Sequence, residues 1–546
     1  MPLPRAFSSL FARPSAAFWW QSLAAVATGL LLVFSFQPFD QSFLAWFALG
    51  PLLYVLAGEI AWRRALGLGW LAGLTFFFFS TNWITHSMIQ FGGMPKVLAY
   101  GASFLFSSIV AVFPALFAVA VSQLARAFGD RALMLAPFVW AATEWLRGTV
   151  TGATWNALGI TQVETFSVAL LAKLGGVSLI SWQLVTASAI LSLLFRDAKS
   201  SLKVVAVSIL LSGGLWFLSW KEPLYKGGPH PVNVACLQPN VPLTLSETPN
   251  DAAQYFENNL KLTRDAVNQS KDNKPDLIIW AESPLTLNYE DDPKVRAQLD
   301  QLAQETGSHI IFSAIAHNGN QYFNSAQTIA PPSAKQPVTQ LHRYDKIRLV
   351  PFGEYVPFRL LLGYFVPALV GDFTPGNDAV VNLLRLRPQL ALIQNEKETK
   401  GELALERTVN FVRAGTFICY EAAYPNLVRS FVQNGATLLV NISNDAWFGN
   451  TAGARQHLAH ARMRAIENDR DVVRVTNSGI SALITSDGRV VDELPQFTAT
   501  ARVWQARSNS RQTFYTRHGD WFAIICTIIS VVALVASVFR QRSKAA

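Results

Sequence analysis

Residues 97–125 read VLAYGASFLFSSIVAVFPALFAVAVSQLA, and no Asp, Glu, Lys or Arg interrupts them. A helix needs about 20 mostly apolar residues to cross the ~30 Å hydrocarbon layer, where unpaired backbone groups and charges are costly. Working outward, further apolar runs bounded by charge or by Gly and Pro lie near 18–36, 41–58, 65–85, 132–147, 165–195, 202–220 and 520–539, so eight spans are expected in all. The run 132–147 is short and holds Glu144, and 165–195 carries Lys173 near one end. Over all 546 residues only 15% are charged and 51% hydrophobic, against roughly 25% charged in ordinary soluble domains, which excludes a wholly soluble globule. The deficit is local, because 221–518 has the composition of a soluble protein. The chain therefore divides into a transmembrane bundle of seven helices (1–220), a water-exposed domain (221–518), and an eighth transmembrane helix with a tail (519–546).

Lys and Arg are retained on the cytoplasmic side of short connections. The amino-terminal tail, the second-to-third, fourth-to-fifth and sixth-to-seventh connections and the carboxy-terminal tail hold 12 of them, while the intervening connections hold only Lys96 and Arg147. Both termini are expected in the cytoplasm and 221–518 outside, which in a bacterium is the periplasm. The net charge of +9 then marks one face of a bilayer, and nucleic acid is not an expected partner. The unbroken alternation favours a retained first helix over a cleaved signal peptide. Segment 76–93, FFFFSTNWITHSMIQFGG, reads equally as an interfacial aromatic belt or as a lipid-handling mouth.

From 233 the pattern changes to short β-rich runs at 233–238, 277–282, 309–315, 323–330, 416–421, 437–444 and 472–478, with helical patterns at 250–271, 294–306, 422–434 and 452–468. Continuously apolar strands imply sheets covered on both faces, hence a layered α/β domain. Segment 369–408 reads as a long loop or irregular insertion. Three cysteines, Cys236, Cys419 and Cys526, are too few for a disulfide framework.

Cys419 closes an apolar strand in TFICYEAAYP, Glu282 closes LIIWAE, and Lys346 follows a β run in TQLHRYDKIRLVPFGEYVP. Taken singly, the first reads as a buried structural thiol and the others as solvated strand-end charges. Together they make an acid, a cation and a thiol from three strand ends, a set that suits acyl transfer through a thioester. The carboxylate takes the thiol proton, and the ammonium lowers the thiol pKa and stabilises the tetrahedral oxyanion. Glu354 and Glu421 could orient Lys346 or a substrate amine. His457 and His460, three apart in ARQHLAHARMRAIE, read as part of a basic helix facing solvent or anionic headgroups and not as zinc ligands. Asn444 and Asp445 read as shaping the loop beside the pocket.

The set WAE (280–282), YDKIRLVPFGEYVP (344–357) and CYE (419–421) followed by NISNDAWFG (441–449) resembles the Glu, Lys and Cys triad of the nitrilase superfamily. With such a domain inserted before a last membrane helix, the whole chain resembles the bacterial inner-membrane apolipoprotein N-acyltransferases. The resemblance implies a nitrilase-like α-β-β-α fold, Glu282 as general base, Lys346 as oxyanion-stabilising cation and Cys419 as acylated nucleophile, with Glu354, Tyr420 and Glu421 supporting or binding substrate. It implies a phospholipid acyl donor, phosphatidylethanolamine, and diacylglyceryl apolipoproteins as acceptors, a monomer, and no cofactor or metal. The family commonly has Trp-Pro-Glu where this chain has Trp280, Ala281 and Glu282, and a Trp often present after the first strand motif is missing from LQPNVPLTLSET. Two rival readings are a membrane-tethered amidase of small nitrogen compounds and a transporter or lipid-binding scaffold, the latter kept open by Glu144 and Lys173.

Overall fold

The computed structural model describes residues 15–545 apart from 59, 222–230, 244–247, 271–272, 283–288, 333–336, 357–371, 388, 394–403 and 409–410. Its first part is helical: α1 (Ala16–Ser35), α2 (Gly50–Leu56), α3 (Trp62–Ser80), α4 (Trp83–Gln90), α5 (Lys96–Val110), α6 (Val112–Phe128), α7 (Ala136–Thr151), α8 (Phe166–Ala169) and α9 (Ala172–Lys221). Among the described residues four segments are long and apolar enough to cross a bilayer unaided: Ala16–Ser35, Lys96–Phe128, Ala172–Arg196 and Trp521–Ser543. The helices α3 and α4, bent by 53° to one another, pass the same test only when taken together. The runs read as spans at 41–58, 132–147 and 202–220 form shorter helices.

Although α9 is helical along its length, it is not one rod. Trp216 Nε1 donates to the Ser167 carbonyl at 3.0 Å, whereas a straight helix from 172 to 216 would separate them by roughly 65 Å at 1.5 Å per residue. The chain therefore doubles back within this element, bringing Trp216 to α8, just ahead of its own start. Contacts between helix ends sort the bundle into two sides. At one side Arg64 donates to the Phe18 carbonyl, Ser122 to the Ile60 carbonyl, Arg196 to Asp130 and to the Tyr54 carbonyl, and Gln123 to Gln541. At the other side the chain near Gln37, Ser80, Trp155 and Glu164 meets the α/β domain.

That domain contains β1 (Pro231–Gln238), α10 (Pro249–Gln269), β2 (Leu277–Trp280), α11 (Pro293–Thr306), β3 (His309–Asn318), β4 (Gln321–Ala330), β5 (Thr339–Asp345), β6 (Val381–Arg385), β7 (Gln389–Ile393), β8 (Ala404–Thr408) and β9 (Phe411–Ile418). It continues through α12 (Pro425–Gln433), β10 (Leu438–Ser443), α13 (Ala452–Asn468), β11 (Val472–Thr476), β12 (Ala482–Ile484), β13 (Val490–Glu493) and β14 (Thr500–Arg507); α14 (Phe514–His518) and α15 (Trp521–Ala545) return the chain to the bundle. Among the described residues the strands form two six-stranded sheets, β14-β1-β2-β3-β4-β5 and β13-β12-β11-β10-β9-β6, and the hairpin β7-β8. The strand pleat explains the layering. Val232, Val234, Cys236, Leu277 and Ile279 face the second sheet, while their neighbours Ala235, Leu237, Ile278 and Trp280 pack on Phe256 and Leu260 of α10 and Leu299 and Leu302 of α11. On the far side Phe431 of α12 and Leu458 and Ala465 of α13 cover the second sheet, completing an α-β-β-α sandwich.

Two expectations need correction. Segment 369–408 is not simply a loop, because it carries β6, the edge strand of the second sheet, and the β7-β8 hairpin. The β6 residues VNLLR alternate between buried and exposed, a half-covered edge too short to read against its polar surroundings. Nor does α13 face solvent or headgroups: fifteen of its residues are buried. Leu458, Ala461 and Ala465 join the α/β core while Ala459, Met463 and Ile466 join the core of the bundle, so the helix is shared by both. Polar residues on it pair to either side, Arg462 with Glu164 of the bundle and the Gly488 carbonyl and Glu467 with the Val177 amide, while Arg464 pairs with Glu467 along the helix itself.

Candidate active site

Each triad residue stands just past a strand: Glu282 after β2, Lys346 after β5 and Cys419 after β9. Cys419 opens a one-turn 3-10 helix (Cys419–Ala423) with φ of +50°, so the backbone turns sharply and aims the thiol out of the strand line. A non-glycine residue there is strained and persists only when its surroundings hold it. Two groups do so. Glu421 Oε2 accepts from the Ile418 amide at 2.7 Å, and His457 Nε2 donates to the Cys419 carbonyl at 2.9 Å.

Lys346 is 1% exposed and lies between two carboxylates, 2.8 Å from Glu354 Oε1 and 3.3 Å from Glu282 Oε1. Asn324, in β4 beside it, donates through Nδ2 to Glu282 Oε1 at 2.8 Å and to Glu354 Oε1 at 2.7 Å, and its carbonyl accepts from the Lys346 amide. The remaining oxygens are also engaged, Glu282 Oε2 by the Asn444 amide at 3.1 Å and Glu354 Oε2 by the Val350 amide at 2.8 Å. Gly376 seals this side, donating to the Lys346 carbonyl; a Cβ there would lie 2.1 Å from the Asp345 carbonyl oxygen, so only glycine fits.

Adjacent strand ends bring acid and thiol together. Ile418 and Ile442 are register partners in parallel β9 and β10, so Cys419 lies beside Ser443 and Asn444, whose amide holds Glu282. Burial, and then the Glu282 charge, push the Cys419 thiol up to about 12 against the opposing pull of Lys346. Burial alone would lower the Lys346 ammonium, but Glu282 and Glu354 hold it well above its ordinary value. The site thus sets a buried thiol whose proton is held tightly beside a buried ammonium and the Glu282 carboxylate.

Of the residues named as supporting, Glu354 pairs with Lys346. Glu421 does something different. Its fully buried carboxylate accepts from the Tyr344 hydroxyl and the Ile347 amide, each at 2.7 Å, and from the Arg348 amide at 3.0 Å, besides the Ile418 amide. It ties the lysine loop to the cysteine turn and presents no free oxygen to a substrate amine. Tyr420 stacks on Trp155 of the bundle, with ring centroids 5.8 Å apart and planes at 13°. Asp445 lies behind the site, paired with Arg474 at 2.7 Å and beside His457 at 3.0 Å; burial would raise its carboxyl, but the Arg474 guanidinium and the contact with His457 keep it well below the usual range. Asn324 and Arg474 were not singled out from sequence, since one amide in a β run and one arginine in an apolar strand acquire meaning only from their partners. The thiols Cys236, Cys419 and Cys526 are all free and buried. Among the described residues no cluster of three or more His, Cys, Asp or Glu is placed to hold a metal ion. The ionisable pair that kept a transporter reading open is structural: Glu144 accepts from the Leu158 amide and Ser181, and Lys173 pairs with Asp469.

The profile described as the apolipoprotein N-acyltransferase N-terminal domain matches residues 28–190, and that of carbon-nitrogen hydrolases matches 233–512. The apolipoprotein N-acyltransferase of Geobacter metallireducens is 30% identical over 95% of this chain and 96% of its own length. The chain belongs to the apolipoprotein N-acyltransferases. The Haemophilus influenzae apolipoprotein N-acyltransferase is 31% identical, covering 95% of each chain. Among solved structures, Saccharomyces cerevisiae Nit3, a member of branch 10 of the nitrilase superfamily, is similar at 14% identity and a TM-score of 0.34, covering 51% of this chain and 90% of its own. An amidase from Nesterenkonia sp. AN1 is similar at 17% identity and a TM-score of 0.34, covering 54% of this chain and 95% of its own. The protein is thus an acyltransferase acting in lipoprotein N-acylation.

Proposed function

We propose that Cys419 carries an acyl chain from a phospholipid to the α-amino group of a diacylglyceryl-cysteine at a lipoprotein amino terminus. As Sγ attacks the ester carbonyl of the donor's sn-1 chain, Glu282 takes the thiol proton and Lys346 stabilises the oxyanion. Collapse breaks the ester C–O bond, and the glycerol oxygen leaves with the proton from Glu282 as a lysophospholipid. The neutral α-amine then attacks the thioester, Glu282 removes its proton, and the departing Cys419 sulfur recovers that proton. An α-amino group of pKa near 8 is partly neutral at pH 7, so no further activation is needed.

The observation that carries this reading is the position of the nucleophile against the bundle, where Tyr420, next to Cys419, stacks on Trp155. A small-molecule amidase has no use for that contact, whereas two lipid substrates confined to one leaflet do. Phosphatidylethanolamine is the proposed donor and the enzyme acts as a monomer. The reading includes eight spans, with boundaries near 220 and 519, and a periplasmic catalytic domain. In support, Arg64, Arg126, Arg196 and Arg540 lie at the side of the bundle away from that domain. Incubation with phospholipid labelled in its sn-1 chain tests the chemistry. Hydroxylamine-sensitive label is expected on the wild type and not on Cys419→Ala, and a diacylglyceryl peptide should remove it. Ammonia release from small amides without label would favour the amidase.

A further inference from the structure

Gln456, on the shared helix α13, is 1% exposed and uses every hydrogen-bonding position of its amide. Its oxygen accepts from the indole N–H of Trp83 at 3.1 Å and of Trp155 at 2.8 Å. Its nitrogen donates to the carbonyls of Gln37 at 2.9 Å and Ser80 at 3.0 Å. These partners stand where α1 and α3 end, where α4 begins beyond the 53° bend, and in the chain following α7. Carbonyls at helix ends lack partners within the helix, so the amide supplies what they are missing. An amide accepts two hydrogen bonds and donates two, which a hydroxyl, a carboxylate or an ammonium cannot do.

The two indoles belong to an aromatic wall. Trp83 meets Trp155 at 5.1 Å and Phe448 at 4.7 Å between ring centroids, and Trp155 stacks on Tyr420. With both N–H groups tied inward to Gln456, the rings pack into a continuous apolar cluster, Trp155 only 6% exposed, that runs from the bend between α3 and α4 to the residue after the nucleophile. The same turn of α13 reaches the nucleophile directly, because His457 holds the Cys419 carbonyl.

The geometry points to Gln456 as a positioning residue that fixes Trp83 and Trp155 as the wall along which a long acyl chain reaches Cys419, and so sets the preference for a membrane-borne donor over a short soluble ester. This rests on the acyl-donor chemistry proposed above. Gln456→Leu removes all four hydrogen bonds. Gln456→Glu keeps the size and the acceptors for the indoles but loses both donors to the helix-end carbonyls.

The full-length enzyme in detergent micelles is assayed with dipalmitoyl phosphatidylethanolamine and with p-nitrophenyl acetate. For Gln456→Leu the ratio of kcat/KM for phospholipid to that for the short ester is expected to fall by about tenfold or more, mainly through a higher phospholipid KM, since only the long chain depends on rings held in place. Gln456→Glu should shift the ratio in the same direction by less, and it carries the test alone if the leucine variant does not fold. A parallel loss on both esters, or an unchanged phospholipid KM, overturns the assignment. A wild-type enzyme that forms no acyl thioester overturns the acyl-donor reading instead, whatever the variants do.

Discussion

Glu282→Gln separates the base from the field it exerts. Burial and the Glu282 charge push the Cys419 thiol up to about 12, so at pH 7 only about one molecule in 10⁵ holds a free thiolate, a deprotonation cost of about 7 kcal/mol at 1.36 kcal/mol per pKa unit. The thiolate is not the resting species, and the proton must leave as the S–C bond forms. A positioned base is worth about 10²- to 10⁴-fold in such a step. The substitution removes that base and a nearby negative charge together, with opposite effects on two observables. The thiol pKa falls, because Lys346 remains while the charge that opposed ionisation is gone, so the midpoint of iodoacetamide alkylation against pH moves down. Acyl-thioester formation from labelled phospholipid at pH 7 nevertheless slows by about 10²- to 10⁴-fold. Both are read on the same purified variant, by mass spectrometry of Cys419 and by hydroxylamine-released label. Acylation within about threefold of wild type, or an alkylation midpoint that moves up, refutes the assignment of Glu282 as base.

Glu421→Gln should act through structure. A glutamine offers one acceptor oxygen where four donors converge, leaving at least one buried amide unpaired at about 1–3 kcal/mol. The melting temperature and the alkylation rate of Cys419 should fall together, whereas lost acyl transfer at an unchanged melting temperature would place the carboxylate on substrate. His309, whose Nε2 lies 3.2 Å from the Arg385 amide and so joins β3 to β6, is held down at about 4 by burial, against a backbone hydrogen bond that favours its charged form. The unfolded chain takes up this proton below pH 6.5 and the folded chain only below about 4, so the stabilisation is complete above 6.5 and about 3 kcal/mol is lost as the pH falls to 4. Asp471, raised to about 6 by burial, contributes the opposite slope in this window. The test is therefore the difference between wild type and His309→Gln in thermal unfolding from pH 7 to pH 4. Equal slopes would remove His309 as the cause.

The three residues of the proposed triad could be picked out because each interrupts an apolar run at a strand end, and a polar group held by rigid backbone leaves that mark in one dimension. Tyr420 and Glu354 could be named from the same neighbourhoods. The work of Glu421 could not, since its partners Tyr344, Ile347 and Arg348 are more than 70 positions away. Asn324 and Gln456 look like ordinary amides, and ARQHLAHARMRAIE looks like a solvated helix. A polar residue announces that it needs partners without saying whether water or protein supplies them. The 50-residue element α9 shows the same limit from the other side, for its two apolar halves were separable in the sequence while the reversal of direction between them is seen only in the contact of Trp216 with Ser167 of α8.

Composition along the chain determined by itself which stretches can sit in lipid and which form a layered α/β domain, because the cost of placing charge and unpaired backbone in hydrocarbon is paid residue by residue. Which buried groups neutralise one another was decided only by the tertiary structure. Hydrogen bonds and ion pairs act over about 3 Å, and at that range Gln456 with Trp83, Lys173 with Asp469 and Glu282 with Asn444 are neighbours although they stand 373, 296 and 162 positions apart.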